Sequence, residues 1–193
     1  MDGNVAVVTG GTVNTAQTGS YLITYTATDT VGNIATATRT VTVTTSPHYA
    51  WRLSAFGAQA GNPAVTGDLI DPNGNGIVNL LEYALGGDPL GSPVVTGMLP
   101  IAGRDLNAHL TLSFIRIPSR SDLTLTVQGA DHAGGPWTDL AQSLAGQAFS
   151  PLTASTSATE SGAADQRTVT IGDAYPMSDP AHPLRFLRLQ VVH

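Results

Sequence analysis

Neither cysteine nor lysine occurs in this chain of 193 residues, and each absence removes a class of chemistry. Without cysteine there is no disulfide, no thiol nucleophile and no Cys-based zinc site. A small exported fold without disulfides needs another staple, and a metal ion is one candidate. The eight basic residues are all Arg and are scattered. They form no stripe that would neutralise phosphates, so nucleic acid is not an expected partner. Glutamate occurs only at positions 82 and 160, which leaves little for paired-carboxylate glycosidase chemistry. No apolar run approaches the roughly 20 residues that span a bilayer, so membrane insertion is not expected. Charged residues make up 11% of the chain, with a net charge of −6. That fraction is far below the usual ~25%, so Thr, Ser, Asn and Gly must cover the surface.

Threonine is abundant instead, with fourteen among the first 45 residues. Its branched Cβ packs well on a pleated surface. Tyr21, Ile23, Tyr25 and Ala27 alternate with Leu22, Thr24 and Thr26, the period of a strand. Asp29-Thr30-Val31-Gly32-Asn33 reads as a turn, and the alternating run Ala35 to Val43 completes a hairpin. Val5 to Val8 is a candidate third strand. The strings Gly19-Ser20-Tyr21, Tyr25-Thr26-Ala27-Thr28-Asp29, Gly32-Asn33 and Ala37-Thr38-Arg39-Thr40-Val41-Thr42-Val43 resemble the last two strands of bacterial Ig-like surface domains. The resemblance covers about residues 2–45 and implies a partial Ig-like sheet whose earlier strands precede Asp2. Two readings stay open here. Either the sequence is cut at a boundary, or an open sheet edge accepts a strand from another chain.

The period changes after Ser46-Pro47. Tyr49, Leu53, Phe56 and Ala60 fall at helical spacing, with Trp51 adding bulk, and Asn62-Pro63 ends that helix. Val78, Leu81 and Leu85 line a second short helix, stopped by Gly86-Gly87 and Asp88-Pro89. Between the two helices, residues 71–82 match D-x-[DN]-x-[DN]-G-x5-E at every specified position. Calcium is a hard cation that wants six to eight oxygen ligands, so a chain that binds it must wrap around it. Asp71, Asn73 and Asn75 offer side-chain oxygens, and Ile77 offers its carbonyl. Asn79 would act directly or through water, and Glu82 closes the site with two oxygens. Only Asp71 and Glu82 are charged, so the expected affinity is that of extracellular modules, ~10⁻⁴–10⁻³ M. Asp68 and Asp88 flank the loop within reach of the ligand shell, and capping a helix or facing solvent is the role expected of them ahead of joining it.

No second copy of the motif exists, and the arrangement resembles the solitary calcium loops of dockerin and thrombospondin type 3 repeats rather than a paired EF-hand. It also resembles a C-terminal region of large secreted proteins of certain Gram-negative bacteria, where a Trp- and Phe-bearing helix precedes such a loop. Residues 71–86 match that string throughout, and Pro136-Trp137-Thr138 and Arg185-Phe186-Leu187-Arg188-Leu189 are similarly placed. The resemblance implies export and a place near the end of a long modular protein. The start, Met-Asp-Gly-Asn-Val, has no signal-peptide shape, so a leader is expected upstream in that parent.

Residues 93–193 return to β. Strands are expected around Leu110–Ile115, Leu123–Gln128, Thr168–Ile171 and Phe186–Val192, with a long mobile loop over 141–166. The expected fold is therefore mainly β. It comprises a partial Ig-like domain (1–46), a helix–calcium loop–helix segment (47–92) and a C-terminal antiparallel β-sandwich (93–193).

No catalytic equipment stands out. The histidines at 48, 109, 132, 182 and 193 show no i, i+4 pair, and no Gly-x-Ser-x-Gly elbow accompanies Ser, His and Asp. Asp122, Asp131 and Asp139 lie near turns, where Asp bonds the backbone. The expected role is a non-enzymatic, extracellular structural or adhesive module. In it, calcium stiffens the junction before the C-terminal sandwich, and the partner is a homotypic or strand-donating chain. The alternative is a carbohydrate-binding accessory of a secreted degradative enzyme, with a polysaccharide partner and an aromatic platform from Trp137, Phe149 and Tyr175.

Overall fold

A computed structural model describes residues 5–14, 18–91 and 98–193. The expected start near Asp2 and the expected boundary at residues 92–93 lie outside the described residues. Two compact units divide the chain, Met1–Ser46 and Pro47–His193.

In the first unit β1 (Val7–Gly10), β2 (Gly19–Thr28) and β3 (Ile34–Val43) form one antiparallel sheet in that order. Strands β2 and β3 pair without interruption from Gly19↔Val43 to Thr28↔Ile34. Asp29 builds the turn between them: its carboxylate accepts the Val31 and Asn33 N–H groups and the Asn33 side-chain amide, at 3.0, 2.7 and 2.7 Å. These bonds, the Asn33 side chain first, hold the Asp29 carboxyl below its ordinary range. Among the described residues Ile23 is the one buried apolar side chain of this sheet, while Val7, Val8, Leu22 and Ile34 are exposed.

The second unit begins with α1 (Pro47–Phe56), a 3-10 turn (Gly57–Gln59), α2 (Pro63–Thr66) and α3 (Asn79–Leu85). Eight strands follow: β4 (Ile101–Arg104), β5 (His109–Arg116), β6 (Thr124–Ala130), β7 (Thr138–Leu144), β8 (Ser150–Pro151), β9 (Ser157–Ala163), β10 (Gln166–Pro176) and β11 (Phe186–Val192). They form two four-stranded antiparallel sheets, ordered β4-β5-β10-β9 and β11-β6-β7-β8. Leu112, Phe114, Val169 and Ile171 from one sheet meet Leu125, Val127, Leu140 and Ala141 from the other in a single core. Trp51, Phe56, Tyr83 and Leu85 extend that core into the helices. The protein is thus mainly β, as its alternating runs imply. Phe114 is fully buried and meets the Phe149 ring edge-on at 5.6 Å. Phe114→Ala is expected to cost about 3–5 kcal/mol, read as a lower urea midpoint.

Three expectations change. The buried face of α1 carries His48, Trp51 and Phe56, and Tyr49 and Leu53 are exposed. The indole has more apolar area to remove from water than Leu53, and its burial sets the rotation of the helix. Residues 141–166, expected as a mobile loop, instead hold the end of β7 and all of β8 and β9. Strand β9 pairs with β10 over its whole length, from Ser157↔Gly172 to Ala163↔Gln166. It is a sheet edge made of Ser, Ala, Thr, Glu and Gly, so no apolar alternation marks it in the sequence. Likewise Asn62-Pro63 starts a helix rather than merely ending one. The Asn62 side chain accepts the Ala64 N–H at 3.1 Å, and Pro63 sits in the first turn where a missing N–H costs nothing.

Candidate metal centre

The loop between α2 and α3 is organised around Asp71. Its carboxylate accepts the Gly74, Asn75 and Gly76 N–H groups at 2.9, 3.3 and 2.8 Å. The Asn73 oxygen accepts the Asn75 N–H, and the Asn75 oxygen accepts the Ile77 N–H, at 3.1 and 2.8 Å. Gly74 and Gly76 take the left-handed conformation, with φ of +69° and +86°, which lets the chain curl back on itself. The Asn73 amide reaches the Gly91 and Asp88 carbonyls at 2.5 and 3.3 Å, so the turn after α3 closes over the loop.

Helix α3 brings Glu82 to this loop. Asn75 Nδ2 donates to Glu82 Oε1 at 3.0 Å. Glu82 is 1% exposed, and its Oε2 is buried with no hydrogen-bond partner. Gly87 lies against that oxygen, where a Cβ would collide with Glu82 Oε2 and Met98 Sδ. A buried carboxylate oxygen without a partner is costly unless a cation answers it. The side chains of Asp71, Asn73, Asn75 and Glu82 supply only oxygen acceptors to such a cation, which suits a hard divalent ion. The Asn79 amide donates to the Val65 and Gly67 carbonyls, both at 2.9 Å. Its Oδ1 is buried and unbonded. Asp88 turns its side chain to the Leu90 N–H, and Asp68 pairs with Arg52 at 2.7 Å.

Sequence reasoning missed several polar constellations because their members are far apart in the chain. Asp122 accepts the His48 N–H at 2.8 Å and the Tyr83 hydroxyl at 2.5 Å. Burial pushes the Tyr83 hydroxyl up, and its bond to Asp122 adds to the effect. Asp131, Asp173, His182 and Arg185 form a second group beside a cavity of about 340 Å³. There, Asp173 and Asp131 both grip Arg185, while His182 stacks on Tyr175 with centroids 3.7 Å apart. The three aromatics considered as a platform are each engaged within the fold. Phe149 is in the core, Trp137 lies under Arg188 at 4.2 Å, and Tyr175 is covered by His182.

Among the described residues no helix is long and apolar enough to cross a membrane. No curated protein and no solved structure matches the chain. Residues 1–43 match the family model described as bacterial surface protein, Ig-like domain. Over that stretch the chain is similar to the Ig-like domains of bacterial surface proteins.

Proposed function

We propose that this chain is a non-catalytic structural and adhesive module of an extracellular bacterial surface protein, stabilised by calcium in the loop 71–82. The observation that carries this reading is Glu82, a buried carboxylate with one oxygen unanswered at the end of an oxygen-lined loop. Calcium held by Asp71, Asn73, Asn75, Glu82 and the Ile77 carbonyl, with Asn79 as an outer member, would tie α3 to the loop. Since α3 buries Tyr83, Ala84 and Leu85 in the sandwich core, the ion would brace the second unit. Low affinity suits a staple that works in a calcium-rich exterior. The direct test is the melting temperature of the second unit with and without calcium, in the wild type and in Glu82→Gln.

The adhesive side of the reading rests on the first unit. Strands β1 and β3 are its sheet edges among the described residues, and Val7, Val8 and Ile34 on them are exposed. An exposed edge is a template for another strand, so a homotypic or strand-donating chain is the partner proposed. Sedimentation velocity is expected to show concentration-dependent association that is lost when Val8 is replaced by Lys. A monomer at all concentrations would remove the assembly role.

A further inference from the structure

We propose that His48, Asp68 and His193 form a second metal site, separate from loop 71–82, for a divalent cation of the zinc class. One ligand atom from each of the three lies within 4.8 Å of the others. His48 Nε2 is 3.5 Å from Asp68 Oδ1, and His193 Nδ1 is 3.8 Å from Asp68 Oδ2. Tetrahedral zinc with bonds of about 2.0–2.1 Å sets its ligand atoms roughly 3.3 Å apart, so small side-chain shifts complete the site.

A second observation points the same way. His48 is 3% exposed, yet its Nε2 has no hydrogen-bond partner and faces Asp68 and His193. Imidazole nitrogens select zinc, copper or nickel over calcium, whereas loop 71–82 offers oxygen alone.

The surroundings also resemble those of a ligated metal, whose ligands are oriented by partners behind them. Arg52 holds Asp68 Oδ1 at 2.7 Å and leaves Oδ2 turned to His193. Asp122 Oδ2 stands 3.7 Å from His193 Nε2, on the far side of the ring from Asp68. Asp122 is itself fixed by the Tyr83 hydroxyl and the His48 N–H. Asp68 and His193 are 34% and 33% exposed, which leaves an entry path and room for water as a fourth ligand. The three ligands come from α1, from the segment after α2 and from the residue after β11, so the ion would clamp the helical layer to the last strand.

The test uses the full chain, stripped of metal and kept in saturating calcium so that loop 71–82 is occupied. Cobalt(II) is titrated as the spectroscopic probe, and zinc is then added to displace it. The expected result is a tetrahedral-type visible absorption that saturates at one equivalent and is abolished by one equivalent of zinc. His193→Gln and Asp68→Asn are expected to weaken binding by about tenfold or more, while His132→Gln, at an exposed position elsewhere, leaves it unchanged. His193 is partly exposed, so its variant is expected to fold; a near-ultraviolet spectrum matching the wild type checks this before titration. Glu82→Gln is expected to keep the cobalt signal, which separates this site from the calcium loop. Absence of the absorption, or a signal of full affinity in His193→Gln, would overturn the proposal.

Discussion

Addition of calcium to about 10 mM is expected to raise the melting temperature of the second unit by about 3–10 °C. With a dissociation constant of ~10⁻⁴–10⁻³ M, mass action stabilises the folded form by about 1.4–2.7 kcal/mol. For a unit of this size each kcal/mol moves the melt by roughly 2–4 °C. Both tryptophans, Trp51 and Trp137, lie in the second unit, so their fluorescence follows its unfolding without interference from the first. Glu82→Gln is expected to abolish the calcium response. The variant also makes a less obvious prediction. Glutamine keeps an oxygen to accept the Asn75 amide but removes the buried charge whose Oε2 has no partner. In EGTA the variant is therefore expected to melt at or above the wild type, and in calcium below it. Such a crossing of ranks is not expected of a carboxylate that merely shapes a turn. A wild-type melt indifferent to calcium would end the staple reading.

Arg116→Met is expected to destabilise the second unit by about 2–4 kcal/mol, somewhat less than the usual effect of stripping a buried charge of its partner, because Arg167 stays 3.8 Å from Glu160 Oε2. Arg116 and Glu160 form a fork-to-fork pair, with Nε to Oε1 at 3.1 Å and Nη2 to Oε2 at 2.6 Å. Arg116 Nη1 also donates to the Gly146 carbonyl at 2.6 Å, and the Phe149 N–H donates to Glu160 Oε1 at 2.9 Å. One ion pair thus joins β5, β9 and the connection from β7 to β8. Adding Glu160→Leu is expected to recover most of the loss, because both charges are then gone. A double variant no better than Arg116→Met alone would refute this account.

The same pair predicts an acid response. Burial works to raise the Glu160 carboxyl, but the bonds from Arg116 and the Phe149 N–H outweigh it and hold the group below the ordinary carboxylate range. A depressed carboxylate contributes stability above its unfolded value and loses it as pH falls through the folded value. Urea midpoints are therefore expected to fall below about pH 4.5 in the wild type. The fall is expected to be shallower in the Arg116→Met, Glu160→Leu double variant.

Much of the strand pattern was legible because it obeys a local rule. The hairpin of β2 and β3 announces itself by alternation and by Asp29 with Asn33, which build the turn through bonds no more than four residues apart. The core strands β5, β6 and β11 carry alternating Leu, Val and Phe, and their positions followed from that period. Strand β9 did not, since an edge strand needs backbone pairing rather than apolar side chains. The rotation of α1 was misjudged for a related reason. Helical spacing allows several faces, and the Tyr83 ring from α3 that receives Trp51 chooses among them.

The loop motif of residues 71–82 is a local object, twelve consecutive residues read by type and spacing alone. Sequence alone therefore determined the place of the loop and the β character on either side, and it is the source of the proposal that the loop's oxygens hold calcium. What the tertiary structure decided is which charges meet. Arg116 with Glu160, Arg185 with Asp131 and Asp173, and His48 with Asp68 and His193 join residues from 12 to 145 positions apart. No periodicity encodes such pairs, because their geometry exists only once two sheets and three helices have packed. In that packed interior an unanswered charge costs more than it does in water, so the fold can keep these groups buried only where partners meet them.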